Sequence, residues 1–209
     1  DDRDKFDILL GAVHFLPEFY KNNPDLRIVC EEYLTIVKKF LSNPVQIFCP
    51  VTVKENWRRE WTKWVRGKIV AMVSGRNNHV PQGAEVYLCY YEILADGYTT
   101  ELVADKRSGM MKEVKTIKLT ETGKSLLAIN AKSIILDESH RCKSITAQRT
   151  QAMMALAEGK KYRWLLTATP FKNRPVEGES QLAIMGQLGP VFGGGWTYKQ
   201  RHCDPQHNG

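Results

Sequence analysis

The sequence predicts an α/β fold, in which helices cover both faces of a parallel β-sheet. The first observation is a pair of apolar, strand-like runs, Ser133–Leu136 and Trp164–Leu166, with one helical stretch, Ile145–Ala157, between them. A strand, a helix and a strand of these lengths form a parallel crossover unit. The second observation is that further short apolar runs alternate with helical patterns along the chain, which is typical of this class.

The third observation is that both of these strands end abruptly in polar residues. Asp137 and Glu138 follow the first strand, and Thr167 and Thr169 flank Ala168 after the second. The carboxyl ends of parallel strands meet at one edge of a sheet, and ligands of α/β folds bind beyond that edge. We therefore expect the carboxylates and the hydroxyls to converge on one site.

The amino-terminal part of the chain predicts three elements before the next clear strand. A helix over residues 4–20 is amphipathic, a short strand covers Leu26–Cys30, and a second helix covers Glu31–Leu41 with apolar residues on one face. Ser42-Asn43-Pro44 ends that helix, and Val45–Cys49 is the strand that follows.

The next helix should begin at Thr52–Glu55, which has the form of a capping box. Trp57, Trp61 and Trp64 then fall at i, i+4 and i+7 on a single face. Packing in the core is the favoured role for these indole rings. The backbone amides at the helix start, beside Thr52 and Lys54, are suited to binding a phosphate group.

The middle of the chain predicts two strands, Lys68–Val73 and Glu85–Tyr90, followed by a surface insertion. Residues Thr99–Thr122 are polar and charged without a clear period, so we expect an irregular loop there. Gly123-Lys124-Ser125 has the tail of a phosphate-binding loop, but its leading glycine position holds Lys118. We interpret these three residues as a polar turn before a helix over Leu126–Asn130.

The carboxyl-terminal third predicts helices separated by short turns. Ser144 or Thr146 is the expected N-cap of the Ile145–Ala157 helix, and Gly159 lies beyond its end. Two more elements follow, a short helix and a glycine turn: Glu179–Leu188 and Gly193–Gly195. No repeat or low-complexity linker interrupts the chain, so the whole of 1–209 is predicted to be one domain.

Composition places the chain among ordinary globular proteins with a basic surface. Its 209 residues are 43% hydrophobic and 25% charged, with a net charge of +7 and a pI near 9.1. This charge favours a polyanionic partner. The five cysteines form no C-x-x-C pair, which indicates a reducing compartment. The early apolar stretch Ile8–Leu16 is shorter than the ~20 residues that span a bilayer, and no membrane partner is expected.

The acidic pair suits the chemistry of a magnesium-bound nucleotide. One carboxylate can hold the water shell of the metal while the other polarises an attacking water. The alternative is that Asp137 and Glu138 only begin the next helix, where acidic side chains complement the helix dipole.

The motifs around these residues resemble those of a known family. DESHRCKSITAQRTQAMMALA and WLLTATPFKNRPVE resemble motifs II and III of superfamily-two helicases, most closely those of the Swi/Snf-type DNA translocases with their DEAH-like box. Ser139 stands where that family usually has alanine or glycine, and Ala168 where it usually has glycine. PVTVKENWRREWTKW is similar to motif Ia, YEIL to motif Ib, and WTYKQRHCD to a stretch found in the annealing-helicase branch.

The resemblance implies a RecA-like sheet of the P-loop NTPase fold, the first of two helicase lobes, binding ATP and Mg²⁺. It implies that Asp137 holds Mg²⁺ through water, that Glu138 acts on the attacking water, and that His140 contacts the motif III strand. The segment Thr167-Ala168-Thr169 would couple the nucleotide state to DNA. The residues expected to bind DNA are Thr52, Lys54, Tyr91, Asn173 and Arg174.

Two departures from the family pattern leave the interpretation open. The phosphate loop G-x-x-x-x-G-K-[ST] is absent between Leu26–Cys30 and the following helix, and no second lobe follows Asp204. The chain is either a piece of a longer protein with an internal gap near Cys30–Leu34, which we favour, or a degenerate lobe. The first interpretation predicts that the strand ending near Cys30 lies next to the strand ending at Asp137.

The function implied is ATP hydrolysis coupled to movement on double-stranded DNA or to strand annealing, with little turnover by this lobe alone. The alternatives are a non-hydrolysing DNA-binding or scaffold module and a restriction-type translocase. The expected partners are DNA, contacted mostly through its backbone, and a second helicase lobe. The expected location is intracellular, which means the nucleus in a eukaryote and the cytoplasm in a bacterium or virus.

Overall fold

A computed structural model of the protein describes residues 44–64, 69–105, 109–170 and 174–203. The predicted helices over 4–20 and Glu31–Leu41 and the predicted strand Leu26–Cys30 lie outside these ranges. Within them, no helix is both long enough and apolar enough to cross a membrane.

The centre of the fold is a five-stranded sheet in the order β2-β3-β1-β6-β7. Every pairing in it is parallel, as the sequence predicted. The strands are β1 (Val45–Phe48), β2 (Val70–Met72), β3 (Val86–Cys89), β6 (Ser133–Asp137) and β7 (Tyr162–Leu166). All residues of β1, β3 and β6 are buried, which is the pattern of strands covered on both faces.

Six α-helices accompany the sheet within the described residues. They are α1 (Lys54–Trp64), α2 (Glu121–Ala128), α3 (Gln148–Ala157), α4 (Gly178–Met185), α5 (Leu188–Phe192) and α6 (Gly195–His202). Helix α1 covers one face of the sheet, where Trp57 and Trp61 pack with Ile47 and Ile135. Helices α2, α3 and α4 contribute Leu126, Met153 and Ile184 to a larger cluster on the opposite face. The prediction of helices on both faces is therefore confirmed.

Strand β6 is paired along both of its edges, by β1 on one side and β7 on the other. The prediction that a strand ending near Cys30 pairs directly with β6 is therefore wrong, because no edge of β6 remains for it. Leu26–Cys30 itself lies outside the described residues.

The predicted irregular insertion at Thr99–Thr122 is instead an antiparallel hairpin of two long strands. Strand β4 covers Ala95–Ala104 and β5 covers Met111–Leu119, with Thr99 paired to Thr116 and Val103 to Lys112. Most of its residues are exposed on both faces. The prediction failed because a ribbon that buries neither face carries no polar–apolar alternation for sequence reasoning to detect.

Helix α2 begins at Glu121, earlier than predicted, and it includes Gly123-Lys124-Ser125. Thr120 is its N-cap, and the Thr120 hydroxyl accepts a hydrogen bond from the Gly123 amide at 3.0 Å. A Cβ at Gly123 would lie 2.5 Å from the carbonyl oxygen of Leu94. The glycine is therefore required by close packing against a neighbouring backbone.

Helix α3 begins at Gln148, and its N-cap is Ala147, without a side-chain cap. The predicted caps Ser144 and Thr146 lie instead within 3.3 Å of each other through their hydroxyl oxygens. Gly159 adopts a positive φ of 72° beyond the end of the helix, as predicted.

The last two helices fold back on α4. Glu179 of α4 forms an ion pair with Lys199 of α6 at 3.0 Å, and the Tyr198 hydroxyl donates to the Pro175 carbonyl at 2.7 Å. Gly193 and Gly194 form the predicted turn with positive φ, whereas Gly195 already belongs to α6.

Candidate functional site

The polar ends of β6 and β7 lie at the same rim of the sheet. Asp137 is in register with Leu166, so Glu138 and Thr167 leave neighbouring parallel strands at the same level. The convergence predicted from the sequence is therefore present in the structure.

Asp137 is held in place from three directions. Its side chain is only 3% exposed, and its Oδ2 accepts a hydrogen bond from the indole Nε1 of Trp57 at 2.8 Å. Its Oδ1 accepts from the backbone amide of Glu138 at 2.9 Å, and its carbonyl accepts from the Tyr91 hydroxyl at 2.6 Å. The two bonds to Oδ1 and Oδ2 fix the orientation of the carboxylate before any ligand arrives, and the bond from Tyr91 holds the backbone at the strand end.

Glu138 has a backbone conformation that L-residues rarely adopt. Its φ of 51° and ψ of 49° are left-handed, and it is the only non-glycine residue with positive φ among those described. Such a conformation costs about 1–2 kcal/mol and often marks a functional site. It ends the strand sharply, so that the Glu138 side chain is 26% exposed while Asp137 stays buried.

His140 connects the acidic pair to the second strand. Its Nδ1 lies 3.1 Å from Oε2 of Glu138 and 3.1 Å from Oγ1 of Thr167. A proton on Nδ1 can be donated to either oxygen. The contact between His140 and the motif III segment, which the resemblance implied, is thus observed.

The loop after β7 is partly ordered by its own hydroxyl. The amide of Thr169 donates to Oγ1 of Thr167 at 3.1 Å. Ala168, Thr169 and Pro170 are exposed. The loop therefore offers polar groups to solvent beside the carboxylates, while Thr167 faces His140.

Two side chains of α4 that the sequence analysis missed contact the polar loops, Ser180 the loop after β6 and Gln181 both loops. Ser139 is fully buried, and its hydroxyl donates to Oε1 of Gln181 at 3.1 Å. Nε2 of Gln181 donates to the carbonyl of Pro170 at 2.5 Å, and the Ser180 hydroxyl donates to the carbonyl of Cys142. A glutamine in a short helix without a distinct apolar face carries no local signal of this role, although it is only 8% exposed in the structure.

Trp57 was predicted only as a core residue, and it is 8% exposed. Its second role, the bond to Asp137, could have been suspected because a buried indole N–H usually finds an acceptor. Nothing in the sequence indicated which acceptor it would find, since the two residues are 80 positions apart.

The predicted DNA contacts divide into inward-facing and outward-facing residues. Thr52 and Arg174 are exposed, and Asn173 lies outside the described residues. The side chain of Tyr91 is 1% exposed and bonded to Asp137, so its predicted contact with DNA is corrected to a structural contact in the core. Lys54 is also buried, which leaves only its backbone amide as a candidate phosphate donor.

The buried ammonium group of Lys54 ties the ends of β2 and β3 together. Its Nζ donates to the carbonyl of Val73 and lies 5.2 Å from the ring centroid of Tyr90. Desolvation lowers the pKa of Lys54. Beside it, burial first and the nearby Asp137 second raise the pKa of Cys49 to about 12, so this thiol remains protonated at neutral pH.

The carboxylates fit a magnesium ion of the nucleotide-bound kind. Mg²⁺ in such sites is held by one or two carboxylates together with phosphate oxygens and water. Asp137 and Glu138 supply that number at one rim. No group of three or more metal-ligating side chains occurs among the described residues. The sequence contains no G-x-x-x-x-G-K-[ST] pattern, the motif whose backbone amides and lysine hold nucleotide phosphates.

Comparison with known proteins identifies relatives of the chain. The model of the SNF2-related domain matches residues 13–187. Protein CHROMATIN REMODELING 19 of Arabidopsis thaliana is 24% identical over 189 residues, which cover 78% of this chain and 22% of that protein. The DNA annealing helicase and endonuclease ZRANB3 of Homo sapiens is 32% identical over 107 residues, which cover 45% of this chain and 10% of that protein.

Solved structures share the fold. The SWI2/SNF2 ATPase core of Sulfolobus solfataricus in complex with dsDNA matches with a TM-score of 0.55 and 22% identity, covering 83% of this chain and 32% of that one. This likeness supports the RecA-like fold predicted from the sequence. The chain spans about a fifth or less of the two curated relatives described above.

Proposed function

This chain belongs to the SNF2-related domain family, and from that premise we propose that it is the first ATPase lobe of a DNA translocase or annealing helicase. In this proposal the lobe takes part in ATP hydrolysis together with the second helicase lobe, and the reaction is coupled to movement on double-stranded DNA or to strand annealing. The similarity to the annealing helicase ZRANB3 supports the annealing branch.

The observation that carries the proposal is the linkage of the acidic pair to the motif III segment through one imidazole. His140 lies within 3.1 Å of both Glu138 and Thr167. A residue that contacts the hydrolytic carboxylate and the neighbouring loop together can respond to a change in either. This arrangement is what coupling between hydrolysis and DNA contact requires.

The two carboxylates have different surroundings and therefore different tasks. Glu138 is partly exposed and lies beyond the end of β6, so it can accept a proton from an attacking water and orient that water. Asp137 is buried and oriented by Trp57, so it can hold the water shell of a metal ion in a fixed position. Mg²⁺, when bound with ATP, neutralises charge that develops on the phosphate oxygens.

DNA is the proposed polymer partner, and a second helicase lobe is the proposed protein partner. The exposed Thr52 at the start of α1 and the exposed Arg174 beyond the second loop are the described candidates for backbone phosphate contacts. The similar SWI2/SNF2 ATPase core of Sulfolobus solfataricus was solved in complex with dsDNA, which supports this choice. An intracellular and, in a eukaryote, nuclear location is part of the proposal, supported by a relative named for chromatin remodeling.

The proposal is tested by substituting Glu138→Gln in the complete protein that carries this chain. We expect DNA-stimulated ATP hydrolysis to fall by at least about a hundredfold, because an amide cannot accept the proton of the attacking water. Steady-state phosphate release with saturating double-stranded DNA measures the effect.

The matched control is Glu158→Gln, which makes the same chemical change at an exposed position after α3. It should leave the rate within about twofold, as expected for a surface substitution. Equal hydrolysis by the Glu138→Gln protein and the parent would contradict the role of this carboxylate.

A second candidate function is a DNA-binding or scaffold module that does not hydrolyse ATP. The observation that favours it is the missing phosphate-loop pattern in the sequence. DNA binding without measurable hydrolysis by the complete parent protein would support this alternative over an active ATPase.

A further inference from the structure

The first turn of α4 contacts the polar loops that follow both β6 and β7. Ser180 donates to the carbonyl of Cys142, which ends the short helix after the acidic pair. One residue later, Gln181 accepts from Ser139 and donates to Pro170. A single helical turn therefore holds both segments.

Gln181 is chemically suited to this double contact. Its amide presents one acceptor and two donors at the end of a short side chain. The oxygen receives the buried hydroxyl proton of Ser139 at 3.1 Å, and the nitrogen donates to the Pro170 carbonyl at 2.5 Å. A carboxylate could not donate to Pro170, and an aliphatic side chain could do neither.

The two contacts lie at the segments that the proposed function uses. Ser139 is the residue between Glu138 and His140, and Pro170 directly follows Thr169. Ser139 is 0% exposed and Gln181 is 8% exposed, so water does not readily replace their bond. A displacement of the Glu138–His140 turn must therefore move Gln181 or break a buried hydrogen bond, which is costly. A movement of Gln181 in turn disturbs its partly buried bond to the Pro170 carbonyl.

We propose that Gln181 is a positioning residue that transmits movement between the Glu138–His140 turn and the Thr167–Pro170 loop. It forms a second connection between these segments, in parallel with the contact of His140 with Thr167. The inference rests on the proposed function, because it assigns hydrolysis to the first segment and DNA coupling to the second.

The test uses three variants of the complete protein: Gln181→Leu, Ser139→Ala and the double substitution. Gln181→Leu leaves the buried Ser139 hydroxyl without its partner, so it should lower both the melting temperature and the ratio of DNA-stimulated to unstimulated hydrolysis, the ratio by roughly tenfold. Replacing both partners by apolar groups removes the unsatisfied hydroxyl and can be nearly neutral for stability.

The double variant separates positioning from packing. If Gln181 transmits movement, the double variant recovers most of the melting temperature but keeps the lowered stimulation ratio. If Gln181 only satisfies a buried hydroxyl, the double variant recovers both quantities, and the inference is overturned. An unchanged ratio in Gln181→Leu also overturns it.

The control variant is Gln151→Leu. Nε2 of Gln151 donates to the Ile145 carbonyl at 2.5 Å, so the substitution removes the same kind of amide-to-carbonyl bond from a neighbouring helix. Gln151 contacts neither Ser139 nor the loop after β7 through that bond. Its stimulation ratio should remain within about twofold of the parent, as for substitutions outside a coupled network.

Amide hydrogen exchange tests the connection without relying on hydrolysis. The amide of Arg141 donates to the Glu138 carbonyl and so closes the first segment, and the amide of Thr169 donates to Thr167 Oγ1 within the second. Both should exchange roughly tenfold faster in Gln181→Leu, since local opening becomes easier on both sides. Faster exchange in only one segment overturns the inference.

A parent protein without DNA-stimulated hydrolysis contradicts the proposed function. In that case the exchange data alone test whether Gln181 connects the two segments.

Discussion

At the scale of single residues, two adjacent carboxylates reach opposite environments. Asp137 belongs to the last paired position of β6 and is buried, whereas Glu138 turns away through its left-handed backbone. The strain at Glu138 persists because the bond from its amide to Asp137 and the pairing of β6 on both edges hold it. One site thereby contains a fixed carboxylate and an accessible one.

We predict that Trp57→Phe lowers DNA-stimulated hydrolysis in the complete protein by roughly tenfold, since hydrogen bonds to charged groups contribute about 1.5–3 kcal/mol. Phenylalanine preserves an aromatic ring in the core but cannot donate to Oδ2 of Asp137. The turnover number at saturating ATP and DNA measures the effect.

Trp61→Phe is the control for this prediction. Trp61 is 1% exposed in the same helix and the same core cluster, so the substitution removes a similar volume. It should lower the melting temperature while leaving the turnover number within about twofold. If both variants lose the same activity, packing alone explains the loss and the specific role of Trp57 is wrong.

At the scale of elements, helix α2 contains a short sequence that resembles a phosphate-binding loop but has a structural role. Gly123-Lys124-Ser125 has the form of the end of a phosphate loop, yet it lies within a capped helix. The glycine is explained by the carbonyl of Leu94, which closely approaches the position of its missing side chain. The capping hydroxyl of Thr120 also donates to the Ile93 carbonyl at 2.6 Å, so the same short segment fixes where the helix begins.

We predict that Gly123→Ala destabilises the protein by about 1–3 kcal/mol, the usual cost of overpacking. Alanine is the better helix former, so propensity alone would give the opposite sign. The free energy of unfolding in urea measures the change.

Gly189→Ala in α5 is the matched comparison. An added Cβ at Gly189 meets nothing within 4 Å, so alanine there should stabilise by about 0.4–1 kcal/mol. Equal changes of the same sign at both positions would contradict the packing explanation for Gly123.

At the scale of the whole molecule, buried thiols and amines give stability its dependence on alkaline pH. Cys142 is fully buried, and desolvation raises its pKa to about 12. Cys49 and Cys89 are also buried, and their pKa values are raised, mainly by burial. Burial lowers the pKa of Lys160. Just below the ordinary lysine pKa the unfolded protein therefore binds more protons at Lys160 than the native protein does, so this residue makes stability rise with pH, opposite to the thiols.

We predict that above about pH 9 the parent loses stability relative to Cys142→Ala, by up to about 1.4 kcal/mol per pH unit. In this window the native thiol keeps its proton while the unfolded thiol loses it, so the native state binds more protons and stability falls as pH rises. The loss should continue until about pH 12, where the native thiol also ionises.

Urea unfolding at several pH values between 8 and 11 measures this difference. Comparison with the variant removes the contributions of the lysines and the other thiols, which are common to both proteins. Parallel stability curves for the parent and Cys142→Ala over this range would contradict the prediction.

The sequence alone was sufficient to predict the parallel sheet and to predict that the polar ends of β6 and β7 meet at one rim. Fully apolar strand runs such as Ser133–Leu136, and the polar residues that end them, are local features, and the direction of parallel strands determines that their ends meet. The hairpin of β4 and β5 was missed because most of its residues are exposed on both faces, so neither strand sequence shows the alternation of apolar and polar residues that marks a half-buried strand.

Only the tertiary structure decided which side chains serve that site. Trp57 and Gln181 reach it from helices distant in sequence, and Tyr91 turns inward to Asp137 although motif resemblance had suggested a DNA contact. These contacts depend on how helices pack against the sheet, and packing distances between distant segments are not encoded in any local pattern. The residues that carry the chemistry of the site can therefore be predicted from the sequence, whereas the side chains that hold them in position are determined by the tertiary structure.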